Sequence, residues 1–287
     1  MVRVLLPGAG RFSCRGRVIH AEVDGRTVRV NVLPTEEYLR GSLPAEVPAS
    51  WPPEALKAAA VIVRTYALGR AADRAREAWD LYPDSRDQMY RGRRGEDRRT
   101  DRAVAATAGL VLATGGVLVP GFHHSCCGGH TADSREVYGV SSIRAPLEGV
   151  PCRWCRASKH WGPWSLTLTW EQVRHRLAAR LEAGGRVTDL ETEGTTDSGR
   201  VEAVRVTAGG RAYRIPAAQF RLALGADALR STRFEVRRGR GGVTFRGTGW
   251  GHGVGLCQEG ARALALEGRT WREILQVYFP DAVPVRI

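Results

Sequence analysis

Apolar and polar residues alternate over residues 2–6, 17–23 and 27–33, the period of half-buried strands, with glycine turns at 8–10 and 24–25 between them. From Thr35 to Leu43 the spacing changes to that of a short helix, capped by Thr35 and carrying Glu37 near its start. A proline-rich elbow follows and holds Glu46. Ser50 to Pro53 then supplies a cap-like residue and prolines at helix positions that need no N–H. The pattern predicts a long helix over about 53–77. Its apolar stripe (Leu56, Ala59, Val63, Tyr66, Ala67) faces a core and leaves Lys57 and Arg64 towards the edge.

Residues 80–102 read as a polar loop and 101–108 as a small helix. Strands at 110–113 and 116–119 are joined by a Gly-Gly turn. Residues 121–165 are irregular and rich in glycine and cysteine. Beyond them the pattern predicts a strand over 165–170, a helix over 170–182, and strands at 186–194, 200–207 and 211–215. A helix near 217–224 and a strand at 232–238 come next, then a Gly-rich loop at 244–261 and a closing helix over 262–278. The fold class is α+β: a mixed core with one long helix and an inserted β-rich subdomain. The expected division is N-terminal strands over 1–30, a core from 31–165 and 240–287, and an accessory subdomain over 166–239.

Composition narrows the function classes. At 287 residues, 43% hydrophobic and 25% charged, the chain is an ordinary globular protein with ample core. No run approaches the ~18 apolar residues of a membrane span. The N-terminal apolar run stops at Pro7, too short for a secretory leader. The six cysteines are too few for a disulfide scaffold. A net charge of +13 favours anionic partners, although no nucleic-acid-binding motif is present. Nearly all of the 43 basic residues are arginines, and Lys57 and Lys159 are the exceptions. In so arginine-biased a chain, Lys57 points to a place where a compact ammonium is wanted and a planar fork is not.

Three constellations carry chemistry. The first is Glu46 with Lys57 and Arg64. A carboxylate flanked by Ala45 and Val47-Pro48 suits a general acid, and the two cations stand close to two helical turns apart, on one face. As plain structure, Glu46 would be a turn cap. The second is GTGWGHGVGLCQEGA at 247–261. Its glycines admit close backbone approach, Trp250 offers a stacking face, His252 a proton-sensitive donor and Gln258 a fork for hydroxyls, a set suited to sugar. It lacks the frame of a phosphate loop, and a tight structural turn with a core tryptophan is the plain alternative. The third is HHSCCGGHTADS at 123–134 with CRWC at 152–155. It fits zinc held by Cys127, Cys152, Cys155 and a fourth ligand, a bridge from Cys127 to Cys152 or Cys155, or free buried cysteines.

In order along the chain these blocks resemble the sporulation stage II protein D / amidase-enhancer (LytB-type) family. The resemblance runs through LPTEEYLRGSLPAEVPASWPPEALKAAAVIVRTYAL at 33–68, DQMYRG at 87–92, TAGLVLATGG at 107–116 and FHHSCCGGHTADSREVYG at 122–139. It continues through FRLALGADALRSTRF at 220–234, the 247–261 loop and EILQVYFPDAVPV at 273–285. It implies a peptidoglycan lytic transglycosylase acting on denuded glycan, with Glu46 as general acid and then base, and with Lys57 and Arg64 as the matching cations. The expected substrate-binding set is Gln88 and Tyr90 of the QxY motif with Trp250, His252 and Gln258. Some members hold zinc through a Cys and a His-Cys pair just before that motif. The matching positions here are Tyr82, Arg86 and Asp87, so that site does not carry over. No cofactor is required by the implied chemistry, and a structural zinc on the cysteines is the one candidate. The resemblance further implies an extracytoplasmic location, peptidoglycan glycan strands as partner and a cell-wall amidase as a second one. The alternative function is a non-catalytic, wall-binding enhancer of such an amidase.

Overall fold

The computed structural model describes residues 1–8, 10–139, 145, 147–181 and 185–287. In chain order these form β1 (Val2–Leu5), β2 (Arg17–Val23), β3 (Arg26–Leu33), α1 (Thr35–Glu46), α2 (Pro53–Asp73), α3 (Arg98–Ala106), β4 (Leu110–Thr114) and β5 (Val117–Leu118). There follow β6 (His123–His124), α4 (Ser134–Tyr138), β7 (Trp164–Thr169), α5 (Trp170–Arg176), β8 (Val187–Thr195), β9 (Val201–Ala208), β10 (Arg211–Pro216) and α6 (Ala217–Leu224). The chain ends in β11 (Phe234–Gly239), β12 (Gly242–Gly247), β13 (Leu256–Cys257), α7 (Gln258–Leu266), α8 (Trp271–Tyr278) and β14 (Val283–Arg286). The architecture is α+β. No described helix is long and apolar enough to cross a membrane.

Two compact units result. The first comprises Met1–Phe122 and Ala261–Ile287, the second His123–Gly260. The segment 166–239, read from sequence as an accessory subdomain, lies wholly within the second unit, together with 123–165 and 240–260.

In the first unit, β1, β3 and β2 form an antiparallel sheet in that order, and β14, β4 and β5 form another. The β2–β3 turn is Asp24-Gly25, both at positive φ (49° and 71°), and the β4–β5 turn is Gly115-Gly116 at 56° and 78°. Such turns match the right-handed twist of their strands, which is why Asp-Gly and Gly-Gly are legible as hairpins. The core packs β1 and α1 around α2: Val2, Val4, Leu33, Leu39, Leu43, Leu56, Ala60 and Val63 are all buried. From Ala55 to Thr65 every residue of α2 except Lys57 is buried, so the helix is enclosed on nearly all sides.

Helix boundaries differ from the expectation, and α3 already begins at Arg98, within the stretch expected to be a loop. α1 does not stop at Leu43 but runs through Pro44 to Glu46, placing Glu46 in the last helical turn. Proline's φ is helix-compatible, and near a C-terminus its missing N–H forfeits one bond. The helix expected over 53–77 ends at Asp73. The closing helix is two helices: Gly268 takes a left-handed φ of 86°, and Thr270 and Glu273 form a capping box that starts α8 afresh.

In the second unit, two antiparallel sheets, β10-β9-β8 and β11-β12-β7, enclose a core of Leu168, Leu190, Val204, Val206, Phe220 and Phe245. Over its second half strand β9 buries the alternate residues Val204, Val206 and Ala208 on one side and exposes Arg205 on the other. α5 ends at Arg176, and the expected end at 182 lies outside the described residues, as do 140–144 and 146 of the stretch expected to be irregular. β13 pairs in parallel with β6, setting Leu256 beside His123 and Cys257 beside His124.

Candidate functional site

Glu46 is partly exposed, and its Oε1 accepts the Met89 backbone N–H at 2.6 Å. That peptide is held from both sides. Gln88 is buried: its Oε1 accepts the Tyr38 hydroxyl at 3.0 Å and its Nε2 donates to the Val63 carbonyl at 3.3 Å. Tyr90 is buried too, stacked on Tyr38 with ring centroids 5.3 Å apart, and its hydroxyl donates to Asn31 Oδ1 at 2.8 Å. Asn31, the chain's one asparagine, in turn donates to the carbonyls of Arg15 and Arg17. Ser42 Oγ, one turn before Glu46 on α1, donates to the Met89 carbonyl at 2.9 Å. Burial in apolar surroundings pushes the Tyr38 and Tyr90 phenols well above the usual tyrosine range, so both stay neutral donors. Gln88 and Tyr90, expected to touch substrate, therefore serve as internal anchors that fix the N–H orienting Glu46. The QxY spacing marked the segment, but no local signal singled out the Met89 peptide.

Asp87 begins that segment, and sequence reasoning missed it as a functional residue. Its side chain is fully buried and accepts from the Tyr66 hydroxyl (2.8 Å), Arg74 Nη1 (2.7 Å), Arg70 Nε (3.2 Å) and Tyr82 N (2.9 Å). Arg86 stacks on the Tyr82 ring at 3.8 Å from its centroid.

The two cations of α2 have different surroundings. Lys57 is partly exposed and its Nζ lies 2.6 Å from Glu54 Oε1. Glu54 Oε2 accepts the Trp271 N–H at 2.8 Å. Partial burial opposes ionisation of Glu54, but the Lys57 hydrogen bond and the Trp271 N–H outweigh it and hold the carboxyl below its ordinary value. Arg64 does not stand at the edge as expected. Its side chain is 1% exposed and forks onto Glu36, with Nε to Oε1 at 2.8 Å and Nη2 to Oε2 at 2.7 Å. Nη1 donates to the Leu110 carbonyl at 3.0 Å, and Glu36 Oε1 also accepts the Gly109 N–H at 3.1 Å. Arg64 thus ties α1, α2 and the start of β4 together inside the unit. The apolar stripe misplaces it because α2 is buried almost all round, and the partner that makes an interior arginine tolerable sits 28 positions away.

In the second unit, the 247–257 loop lies along the segment following β6. Trp250 and Cys126 exchange backbone hydrogen bonds at 2.8 and 2.9 Å. The Trp250 ring meets His160 edge-on at 5.0 Å, and Arg230 lies 4.8 Å from its centroid. Gly249 and Gly251 take φ of 78° and 118°, and a Cβ at either would strike the Cys126 carbonyl or His124. His252 Nε2 faces the His123 carbonyl at 2.8 Å and its Nδ1 accepts the Val254 N–H at 3.1 Å, a pattern that fixes the proton on Nε2. Burial of those inward-facing nitrogens, with His124 and His123 nearby, pushes its pKa well below the usual histidine value, although part of the ring reaches solvent. Gln258 opens α7.

The cysteines named from sequence do meet. Cys127 and Cys155 sulfurs are 3.4 Å apart, Cys152 and Cys155 3.8 Å. Cys257 joins them, and all four sulfurs are buried within 4.8 Å of one another. Sequence reasoning missed Cys257 because it is a single cysteine in a glycine loop, 130 positions from Cys127.

Residues 23–113 match the family described as Stage II sporulation protein (SpoIID), and residues 156–255 match one described as a domain of unknown function (DUF8618). An uncharacterized protein of Brachyspira hyodysenteriae is 29% identical over 92% of this chain and 70% of its own length. The amidase enhancer of Bacillus subtilis is 28% identical over 84% of this chain, which spans 39% of that protein. The stage II sporulation protein D of Bacillus subtilis is 29% identical over 87% of this chain and 74% of its own. The chain is thus similar to the SpoIID family over residues 23–113, and over most of its length to proteins named stage II sporulation protein D and amidase enhancer.

Proposed function

We propose that the protein is a peptidoglycan lytic transglycosylase with Glu46 as its one catalytic carboxylate. The observation that carries this reading is the over-determined placement of Glu46: a partly exposed carboxylate in the last turn of α1, oriented by a Met89 N–H whose flanking residues are buried and hydrogen-bonded. A surface cap needs no such frame, whereas a proton donor must hold its geometry within a fraction of an ångström.

The chemistry needs one carboxyl group. Glu46 donates its proton to the glycosidic oxygen as that bond to the muramic anomeric carbon breaks. The resulting carboxylate then takes the proton of the same sugar's C6 hydroxyl as O6 bonds to the anomeric carbon. A 1,6-anhydro end forms, Glu46 is again protonated, and no water is consumed, so the second carboxylate of a hydrolase is unnecessary. Amidase removal of stem peptides leaves a lactyl carboxylate on each muramic residue. Lys57, partly exposed and held by Glu54, is the cation proposed to meet one, and the net charge of +13 favours a polyanionic strand generally. Arg64, being interior, is a positioning residue in this reading. Trp250, His252 and Gln258 are proposed glycan contacts of the second unit. Such a substrate places the protein outside the cytoplasm.

A second reading is favoured by the name of one relative, amidase enhancer: binding of wall glycan without cleavage, in support of an amidase. Digestion of denuded and intact sacculi by wild type and Glu46→Gln, read by mass spectrometry, separates the two. Anhydro-muramic products released by wild type and absent with Glu46→Gln support the transglycosylase. Glycan retention with no anhydro ends from either protein overturns it in favour of the enhancer.

A further inference from the structure

We propose that Cys127, Cys152, Cys155 and Cys257 hold one zinc ion as four thiolates, and that this ion clamps the Gly-Trp-His loop of the second unit to the CGG turn. Zinc binds four thiolates tetrahedrally with Zn–S near 2.3 Å, which fixes the sulfur–sulfur edges at about 3.8 Å. The Cys127–Cys155 and Cys152–Cys155 separations of 3.4 and 3.8 Å lie near that edge, and all four sulfurs fall within 4.8 Å of one another, close enough to converge on one ion. A disulfide needs about 2.05 Å and would join sulfurs only in pairs; four mutually adjacent sulfurs share one centre.

The surroundings are those of a thiolate site. The Cys127 N–H points at Cys257 Sγ (3.3 Å) and the Gly129 N–H at Cys127 Sγ (3.4 Å), backbone donors that stabilise negative sulfur. Gly128 and Gly129 both take positive φ (77° and 121°), which turns those donors inward after Cys127. Cys152 and Cys155 have the two-residue spacing of a metal knuckle, and the Cys152 N–H bonds the Gly129 carbonyl at 2.9 Å, tying the knuckle to the CGG turn.

Charge points the same way independently. Binding zinc releases four protons, one per thiol, and leaves a centre of net charge −2 with no change of oxidation state. Beside it lies Arg200, 1% exposed, with no carboxylate bonded to it among the described residues. Its Nη2 donates to the Cys127 carbonyl at 2.8 Å and its Nε has no partner. A buried guanidinium without a counter-charge is costly. A dianionic cluster against the Cys127 backbone provides the counter-charge. Position 253 is glycine, where any Cβ would strike the Arg200 guanidinium, and this lets the loop close over that side chain. All four positions are filled by sulfur, so the ion has a structural and not a catalytic part. The inference is independent of the Glu46 reading.

The test is metal analysis of the full-length protein purified without a metal-affinity step. One equivalent of zinc per chain is expected. It should survive gel filtration, disappear in Cys257→Ser and persist in Cys14→Ser, whose thiol belongs to the first unit. Mercurial titration of wild type should release zinc with four thiols consumed per ion, a readout that holds even where Cys257→Ser fails to fold. Cobalt substitution should give the visible ligand-field bands of a tetrahedral tetrathiolate. Metal-free protein with two disulfides, one equivalent of iron in place of zinc, or zinc retained in Cys257→Ser would each overturn the assignment.

Discussion

Replacing Arg64 with lysine separates the two things an interior arginine of this domain could be doing. The charge is kept, but the fork is lost. An ammonium can reach Glu36 or the Leu110 carbonyl, whereas the guanidinium bonds both, at 2.7 and 2.8 Å to the carboxylate and 3.0 Å to the carbonyl. About two charge-assisted hydrogen bonds are lost, each worth roughly 1.5–3 kcal/mol when buried. Glu36 is 38% exposed and keeps the Gly109 N–H, so solvent recovers part of its share. The expected destabilisation is then roughly 2–4 kcal/mol, or a fall in Tm of roughly 4–16 °C for a unit of this size. Glu36→Gln should cost a similar amount, since it leaves the buried guanidinium without its counter-charge. The double variant should lose less than the sum, with a coupling energy of about 1–3 kcal/mol. The assay is urea unfolding of the four proteins, with glycan cleavage measured alongside at a temperature where all are folded. Were Arg64→Lys to unfold at the wild-type midpoint while cleavage fell a hundredfold, the side chain would be acting on substrate and the clasp would be refuted.

Lys57 gives the opposite expectation. Its partner Glu54 is partly exposed and three residues away on the same helix, so Lys57→Ala should cost less than about 1 kcal/mol by urea unfolding while reducing cleavage of denuded glycan; an equal loss on charge-neutral chitin-like oligomers would remove the proposed lactyl contact. Gly41 sits on α1 where a Cβ would lie 2.7 Å from the Tyr90 ring and 2.9 Å from the Gly92 carbonyl; Gly41→Ala should destabilise by about 1–3 kcal/mol and impair cleavage through the Tyr90–Met89 frame, and wild-type stability in this variant would mean the packing is looser than described. In the second unit, burial pushes the His124 pKa down to about 3, and that of His252 falls too. Between about 3 and the unfolded value near 6.5 the unfolded chain binds a proton that the folded one refuses, so stability is complete above 6.5 and falls as pH drops. For His124 that amounts to about 2 kcal/mol at pH 5. The pH 7 to pH 5 shift in urea midpoint should shrink in His124→Asn, which keeps a donor for the Val254 carbonyl, and an unchanged shift would refute the assignment.

What was legible in the sequence was local. The Arg17–Val23 strand, the Asp-Gly and Gly-Gly hairpins and the helix over Ala217–Leu224 follow from alternation, turn chemistry and short-range periodicity, and they stand where those rules put them. Glu46 stands out by its setting between prolines, yet its actual place, in the last helical turn, needs Pro44 to be tolerated inside α1. What was illegible depends on distant partners. That Gln88 and Tyr90 face inward is decided by Tyr38 and Asn31, that Arg64 is interior is decided by Glu36, and Cys257 acquires meaning only once β13 pairs with β6. Periodicity reports which face is apolar; it does not say which polar side chain will be buried with a partner.

The Asp87 network shows how such partners substitute for one another. At Tyr82, Arg86 and Asp87, where the resemblance puts a zinc-ligand set in some members, this chain places one buried carboxylate between two arginines. Arg74, just past the end of α2, bonds Asp87, the Asp80 carbonyl and, through its face, the Tyr82 ring; Arg70 bonds Asp87 from the last turn of α2. A metal ion in such a position would gather ligands from separate segments around one positive centre. Here the positive charge comes from guanidinium groups rooted in α2 and just past its end, and the gathered ligand is the carboxylate that begins the 87–90 segment. The outcome for the candidate site is the same in kind: the segment is anchored at Asp87, Gln88 and Tyr90, and the Met89 N–H is left in a fixed place against Glu46. An arginine-rich sequence can build that anchor from its commonest cation, with no metal among the groups that hold the 87–90 segment.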